Sequence, residues 1–257
     1  GADSAGLGAR HLRRLNPPPD RPVTNGSRAV HPGLPGGNLG DPSITHATMN
    51  LRKLREAEAL FLQRYPGGFQ NEEMQKVVAK RHNVGKLSEF AATALAKKNF
   101  AKPGALLDDI VKIVSRSSMV SMFEKPKFRD YVNGLARGDR EVLVAGYKRL
   151  LHGNQEKGFN DVLDVLSEGK LAKWSLMTIH LHHFRPQEEV FVKPTTTKNV
   201  IRQFELTDLE YRPRPSWAFY ERYRAIIGEM KALLDPSLSP NNAAFTGFLM
   251  MSTAVDQ

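Results

Sequence analysis

From Met49 onward the chain is a succession of apolar stripes at helical spacing. Leu51, Leu54, Ala57, Leu60 and Phe61 fall on one helical face, and Pro66-Gly67-Gly68 closes the run, so a first helix is expected over 51–65. Asn71 in capping position, with Glu72 and Glu73 where the helix dipole favours acids, predicts a second helix over 71–82. A third is expected over 86–98. Pro103 opens a fourth stripe through Leu106, Leu107, Ile110, Ile113 and Val114. Pro126 opens a fifth through Phe128, Tyr131, Val132 and Leu135. Asp139 would cap a sixth helix reaching Leu151, and Asn154 a seventh reaching Leu166. Such a series, joined by short connections, reads as an all-helical array over 49–169.

The pattern changes after Gly169. Leu171 to Phe184 is apolar and carries three histidines, and Glu189-Val190-Phe191-Val192-Lys193 then alternates as a short strand does, ending at Pro194. Residues 195–204 suit a short helix. Leu209-Glu210-Tyr211-Arg212 reads as a second short strand, and Pro215 to Leu234 as a long helix led by Ser216 and Trp217. The segment from Asn241 to Ser252 is apolar and should dock on the body. The expected fold is mainly α: a multi-helix array over 49–169, then a small α+β C-terminal subdomain over 170–257 with two short strands, packed on the array. Lys125-Pro126 and Lys193-Pro194 are the one recurrence found, too short for a structural repeat.

Residues 1–48 obey other rules. Fifteen of them are Gly or Pro and none is aromatic, Lys or Glu, a composition that cannot bury enough apolar surface to offset its ordering entropy. A disordered leader, tag or linker is therefore expected. The Asn16 to Pro22 stretch suits a local polyproline II turn, with a plain linker preferred over a proline-recognition ligand. The sharpness of the change at Met49 raises the further expectation that the natural start lies there. No run of about 7 to 15 apolar residues marks a secretory signal, and none approaches the roughly 18 needed to span a membrane.

Cysteine is absent, which excludes disulfides, thiolate zinc sites, iron–sulfur clusters and a cysteine nucleophile, and suits a reducing cytoplasm. The formal charge is +10, and residues 1–48 contribute only five Arg against three Asp, so most of the excess belongs to the folded part. Such an excess favours polyanionic partners, foremost nucleic acid.

Catalytic motifs are missing. Neither Gly-x-x-x-x-Gly-Lys nor Gly-x-Gly-x-x-Gly occurs, no nucleophile elbow surrounds Ser115, Ser117, Ser118 or Ser121, and no cofactor is implied. Glu168-Gly169-Lys170, with Asp161 and Asp164 upstream, has the acid-x-Lys order of metal-dependent nucleases, yet a helix end with a C′ glycine explains it better. In His180-Leu181-His182-His183 the first and last imidazoles share a helical face, so His180 and His183 with Glu188 or Glu189 are candidate metal ligands. An extended segment would pair His180 with His182 instead. Histidines satisfied by backbone or solvent are the more economical reading.

Two basic elements point to binding. Lys193-Pro194-Thr195-Thr196-Thr197-Lys198 places hydroxyls and free helix-start amides between two lysines, a natural phosphate or carboxylate contact. Tyr211-Arg212-Pro213-Arg214-Pro215-Ser216-Trp217 alternates cations with aromatics, and Arg222 and Arg224 continue on the helix. In a nucleic-acid interface Lys193, Lys198, Arg212, Arg214 and Arg224 would touch phosphate, Thr195 would add a hydroxyl, and Trp217 or Tyr211 would stack on a base. The competing reading puts Trp217 and Tyr220 in the core, with the arginines lying along the surface. A third basic set, Lys76, Lys80, Arg81, Lys86, Lys97 and Lys98, reads as a solvated face. The sequence thus suggests a cytoplasmic, non-enzymatic binding or regulatory protein that contacts nucleic acid. The alternatives are a metal-dependent enzyme acting through His180 and His183, and a helical scaffold for a protein partner.

Overall fold

Amphipathic stripes and side-chain caps carry the architecture seen in the computed structural model, which describes residues 49–81 and 84–253. The Gly/Pro-rich segment 1–48 lies outside the described residues, as do the side chains of Lys80 and Arg81. Eleven α-helices are present among the described residues: α1 (Leu51–Arg64), α2 (Glu72–Arg81), α3 (Val84–Ala94), α4 (Pro103–Arg116), α5 (Glu124–Gly134), α6 (Arg137–His152), α7 (Gln155–Glu168), α8 (Trp174–Phe184), α9 (Pro194–Gln203), α10 (Trp217–Leu233) and α11 (Asn242–Thr253). Asn50, Asn154 and Ser216 cap α1, α7 and α10 through side-chain oxygens that accept the amides of Lys53, Lys157 and Phe219. No helix among the described residues is long and apolar enough to cross a membrane.

The central element is α8. Ten of its eleven residues are buried, because α3, α4 and α7 pack around it and leave no face for solvent. Antiparallel to one another, α6 and α7 approach so closely that a Cβ on Gly158 would fall on the Leu150 backbone, while one on Gly146 would press on Val162. A single core runs from Leu54 in α1 to Leu249 in α11 and takes side chains from both sides of residue 170.

The two expected strands are absent, and with them the α+β character of the C-terminal part: no strand occurs among the described residues. Residues 189–193 form no strand, and the backbone is extended at Lys193, where α9 begins. Two of the amides are met by side chains instead: the Val190 amide donates to the Tyr220 hydroxyl at 3.3 Å and the Val192 amide to Thr178 Oγ1 at 3.1 Å. Val190, Phe191 and Val192 are all buried, so this segment threads the helical core rather than lining one face of a sheet. Around Leu209–Arg212 the chain is likewise unpaired, held by the Trp174 indole, which donates to the Arg212 carbonyl at 2.8 Å. The helix-end reading of Glu168-Gly169-Lys170 also changes in detail. Lys170, not Gly169, takes the left-handed conformation (φ 55°), and Gly169 instead makes room for the Tyr131 ring.

The 189–193 segment begins at a carboxylate only 1% exposed, that of Glu189. Gln155 from α7 donates to it at 2.7 Å, and from α10 the Tyr220 hydroxyl donates at 2.7 Å and Arg224 at 2.9 Å. Asn242 of α11 donates to the Glu189 carbonyl at 2.9 Å. One residue thereby ties three helices together. Arg224 also lies over the Trp217 and Tyr220 rings, so its charge is spent inside the fold.

Two stability predictions arise. Arg224→Ala leaves the Glu189 carboxylate buried without its cation and should cost about 3–5 kcal/mol, more than Glu189→Gln. Gly158→Ala should cost at least the roughly 1–3 kcal/mol of an overpacked core, since backbone rather than a flexible side chain blocks it. Urea denaturation of the three variants checks both.

Candidate functional site

The histidine cluster and the basic elements occupy different environments. His180 is fully buried, with Nδ1 at 3.1 Å from the Tyr147 hydroxyl and Nε2 at 2.9 Å from the Ile110 carbonyl. His183 lies between Ser117 Oγ (3.1 Å from Nε2) and Ser88 Oγ (3.4 Å from Nδ1). Every ring nitrogen of this pair is thus engaged, and the third candidate ligand, Glu188, is exposed on the surface. No group of three or more metal-binding side chains occurs among the described residues. Helix α8 fixes the His180/His183 register the spacing suggested, and the core supplies their partners.

Burial holds all three imidazoles neutral. Desolvation lowers His180 and His182 to about 4, and His183 to about 3 with the neighbouring imidazoles adding to the effect.

Parts of both binding elements meet at a cleft. Lys193, Pro194 and Thr195 open α9, Lys173, Trp174 and Ser175 open α8, and both groups line one cavity of about 530 Å³ together with Ser118, Ser121, Glu124, Tyr211 and Pro213. Neither helix start has a side-chain cap, and α5, which begins at Glu124, has none either. Their first-turn amides give this end of the molecule a positive field. Neither Lys173 nor Lys193 enters an ion pair among the described residues. Glu124, the one carboxylate in the lining, accepts from Ser175 Oγ at 2.8 Å.

The eight residues proposed from sequence fall in three places: the cleft, the exposed surface near it and the packed side of α10. Lys193, Thr195 and Tyr211 line the cleft, and Lys198 lies over the Tyr211 ring at 5.7 Å. Arg214 is exposed beside Pro213, and Arg212, also exposed, pairs with Glu210 at 3.1 Å. Trp217 and Arg224 face inward: Trp217 packs on Phe159 and Tyr220, and Arg224 meets Glu189. Arg222 pairs with Asp208. Sequence reasoning missed Lys173 and the serines. Lys173 carries the same signal as Lys193, a lysine directly before a helix start, but only the tertiary fold shows that both starts open on one cavity. Of the third basic set, Lys76, Lys86, Lys97 and Lys98 are exposed. Asp161, once a candidate nuclease carboxylate, bonds Arg149 at 2.6 Å and clamps α7 to α6.

Comparison with known proteins adds no relative: the chain matches no family model, no curated protein and no solved structure.

The neutral histidines predict acid sensitivity. Their folded pKa values lie below the ordinary 6.5, so between pH 6.5 and about 4 the unfolded chain holds more protons than the folded one. Their stabilising contribution is complete above pH 6.5 and is lost as pH falls through that window, at up to about 1.4 kcal/mol per pH unit for each histidine. Denaturant titrations at pH 7, 6 and 5 should show this fall, and His180→Phe should shrink it.

Proposed function

We propose that this protein is a non-enzymatic binding protein that grips phosphate, foremost that of single-stranded nucleic acid, at the cleft between the starts of α8 and α9. The observation that carries the reading is the meeting of Lys173, Lys193, Thr195 and Tyr211 around one concave, acid-poor surface. A phosphate there meets two ammonium groups and uncapped helix amides, while the half-buried Tyr211 ring, with Lys198 beside it, offers a face for a base. Lys198, Arg212 and Arg214 extend the positive surface from the rim, and Trp217 and Arg224 act through the fold rather than by contact. Specificity for base sequence is not part of the reading, since backbone electrostatics and stacking carry little of it. The cysteine-free composition supports a cytoplasmic setting.

Labelled single-stranded DNA and RNA should bind with an affinity that falls steeply with salt. Lys173→Ala and Lys193→Ala should each weaken binding several-fold and reduce the salt slope by about one. Tyr211→Ala should weaken binding at every salt concentration by about 1–3 kcal/mol, the size of one stacked base. Fluorescence anisotropy at two salt concentrations checks these expectations, and equal binding by the lysine variants would overturn the assignment.

A further inference from the structure

Beside the basic cleft lies a second chamber of about 420 Å³, between α2 and α3 on one side and α11 on the other. Its walls are mainly apolar, with Met74, Val77, Met119, Phe191, Met250 and Met251 prominent among them. The two chambers share Ser118, Met119, Phe191 and Lys193 as lining residues, so Lys193 stands where an apolar compartment meets a basic one. We propose that the chamber binds the hydrocarbon chain of a small amphipathic anion, a medium-length monoacyl carboxylate, whose charged head is held by Lys193 and Lys173.

Three features select this occupant. The volume falls within the range of small-molecule sites, roughly 300–1,000 Å³, and suits a chain rather than a folded partner. Four methionines line the chamber, and their unbranched, polarizable side chains adapt to a flexible hydrocarbon better than branched ones do. Charge complementarity fixes the polarity. No carboxylate lines the chamber, and at the neighbouring cleft two lysines, Lys173 and Lys193, stand against one carboxylate, Glu124, so the balance of charge there favours an anionic head. The head-group half of this assignment rests on the anion-binding reading of the cleft, whereas the chain half rests on the chamber alone.

Isothermal titration calorimetry of the full chain with octanoate, decanoate, dodecanoate and uncharged dodecanol, all below their aggregation concentrations, tests the proposal. Dodecanoate should bind one to one with a negative heat-capacity change, and affinity should rise about fourfold for each added methylene. Ala244→Trp and Thr246→Trp, which fill the chamber from α11, should each weaken dodecanoate at least tenfold, with circular dichroism confirming that each variant is folded. Lys193→Ala should weaken dodecanoate about tenfold and leave dodecanol unchanged. No saturable dodecanoate binding, affinity independent of chain length, or indifference to both filling variants would overturn the proposal. If DNA binding still depends on Lys193 in that event, the cleft reading survives alone. If dodecanoate and dodecanol bind alike and neither they nor DNA respond to Lys193→Ala, the head-group assignment and the cleft reading fall together.

Discussion

A carboxylate buried to 1% exposure is costly unless its charge is met and its lone pairs are filled, and the Glu189 side chain constrains the whole C-terminal half for that reason. Its partners come from three directions: Gln155 on α7, Tyr220 and Arg224 on α10, and Asn242 on α11 through the Glu189 carbonyl. Burial and the adjoining carboxylate together push the Tyr220 phenol well above its ordinary pKa, which keeps it a hydrogen-bond donor. With its proton given to Glu189, the Tyr220 oxygen accepts the Val190 amide. Thr178 repeats the device two residues further along the segment: it donates to the Trp174 carbonyl at 2.8 Å and accepts the Val192 amide. The segment is thus fixed by side chains from α8 and α10, and its far end delivers Lys193 to the start of α9.

This arrangement explains which expectations held and which did not. Helices were legible because stripes such as Leu106, Leu107, Ile110, Ile113 and Val114 report a buried face whatever the partner, and because Asn154 and Ser216 cap locally. The alternation of Glu189 to Lys193 suggested a strand, and no strand forms there. A strand needs a second strand, and here the buried residues Val190, Phe191 and Val192 are surrounded by helices whose hydroxyls do the pairing. Nothing local distinguishes a hydroxyl partner from a ladder partner. Glu189 itself looked like the polar side of that alternation, while its buried role depends on residues 34 and 35 positions away.

The binding elements show the same limit. Lys193, Thr195 and Tyr211, proposed from sequence as a phosphate and base contact, do line one cleft. Arg224 and Trp217 carried an identical local signal, yet Trp217 is buried and the half-buried Arg224 pairs with Glu189, since a guanidinium stacked on aromatic rings suits an internal ion pair as well as a phosphate contact. Spacing left His180 paired with His183 on a helix or with His182 on a strand; the helix forms, but α8 is buried all round, so the His180 and His183 rings meet Tyr147, Ser88 and Ser117 rather than solvent. The proposed cleft therefore draws on helix starts at the surface, and the Glu189 cluster of the interior fixes the segment that leads to one of them.

The most direct test of this account is amide hydrogen exchange at Val190 and Val192. A segment held by Tyr220 and Thr178 should exchange both amides only on global unfolding, and Tyr220→Phe should release Val190 while leaving Val192 protected. Exchange of both amides in the wild-type protein at the rate of an exposed loop would contradict the account, because Lys193 would then have no fixed position from which to form a cleft.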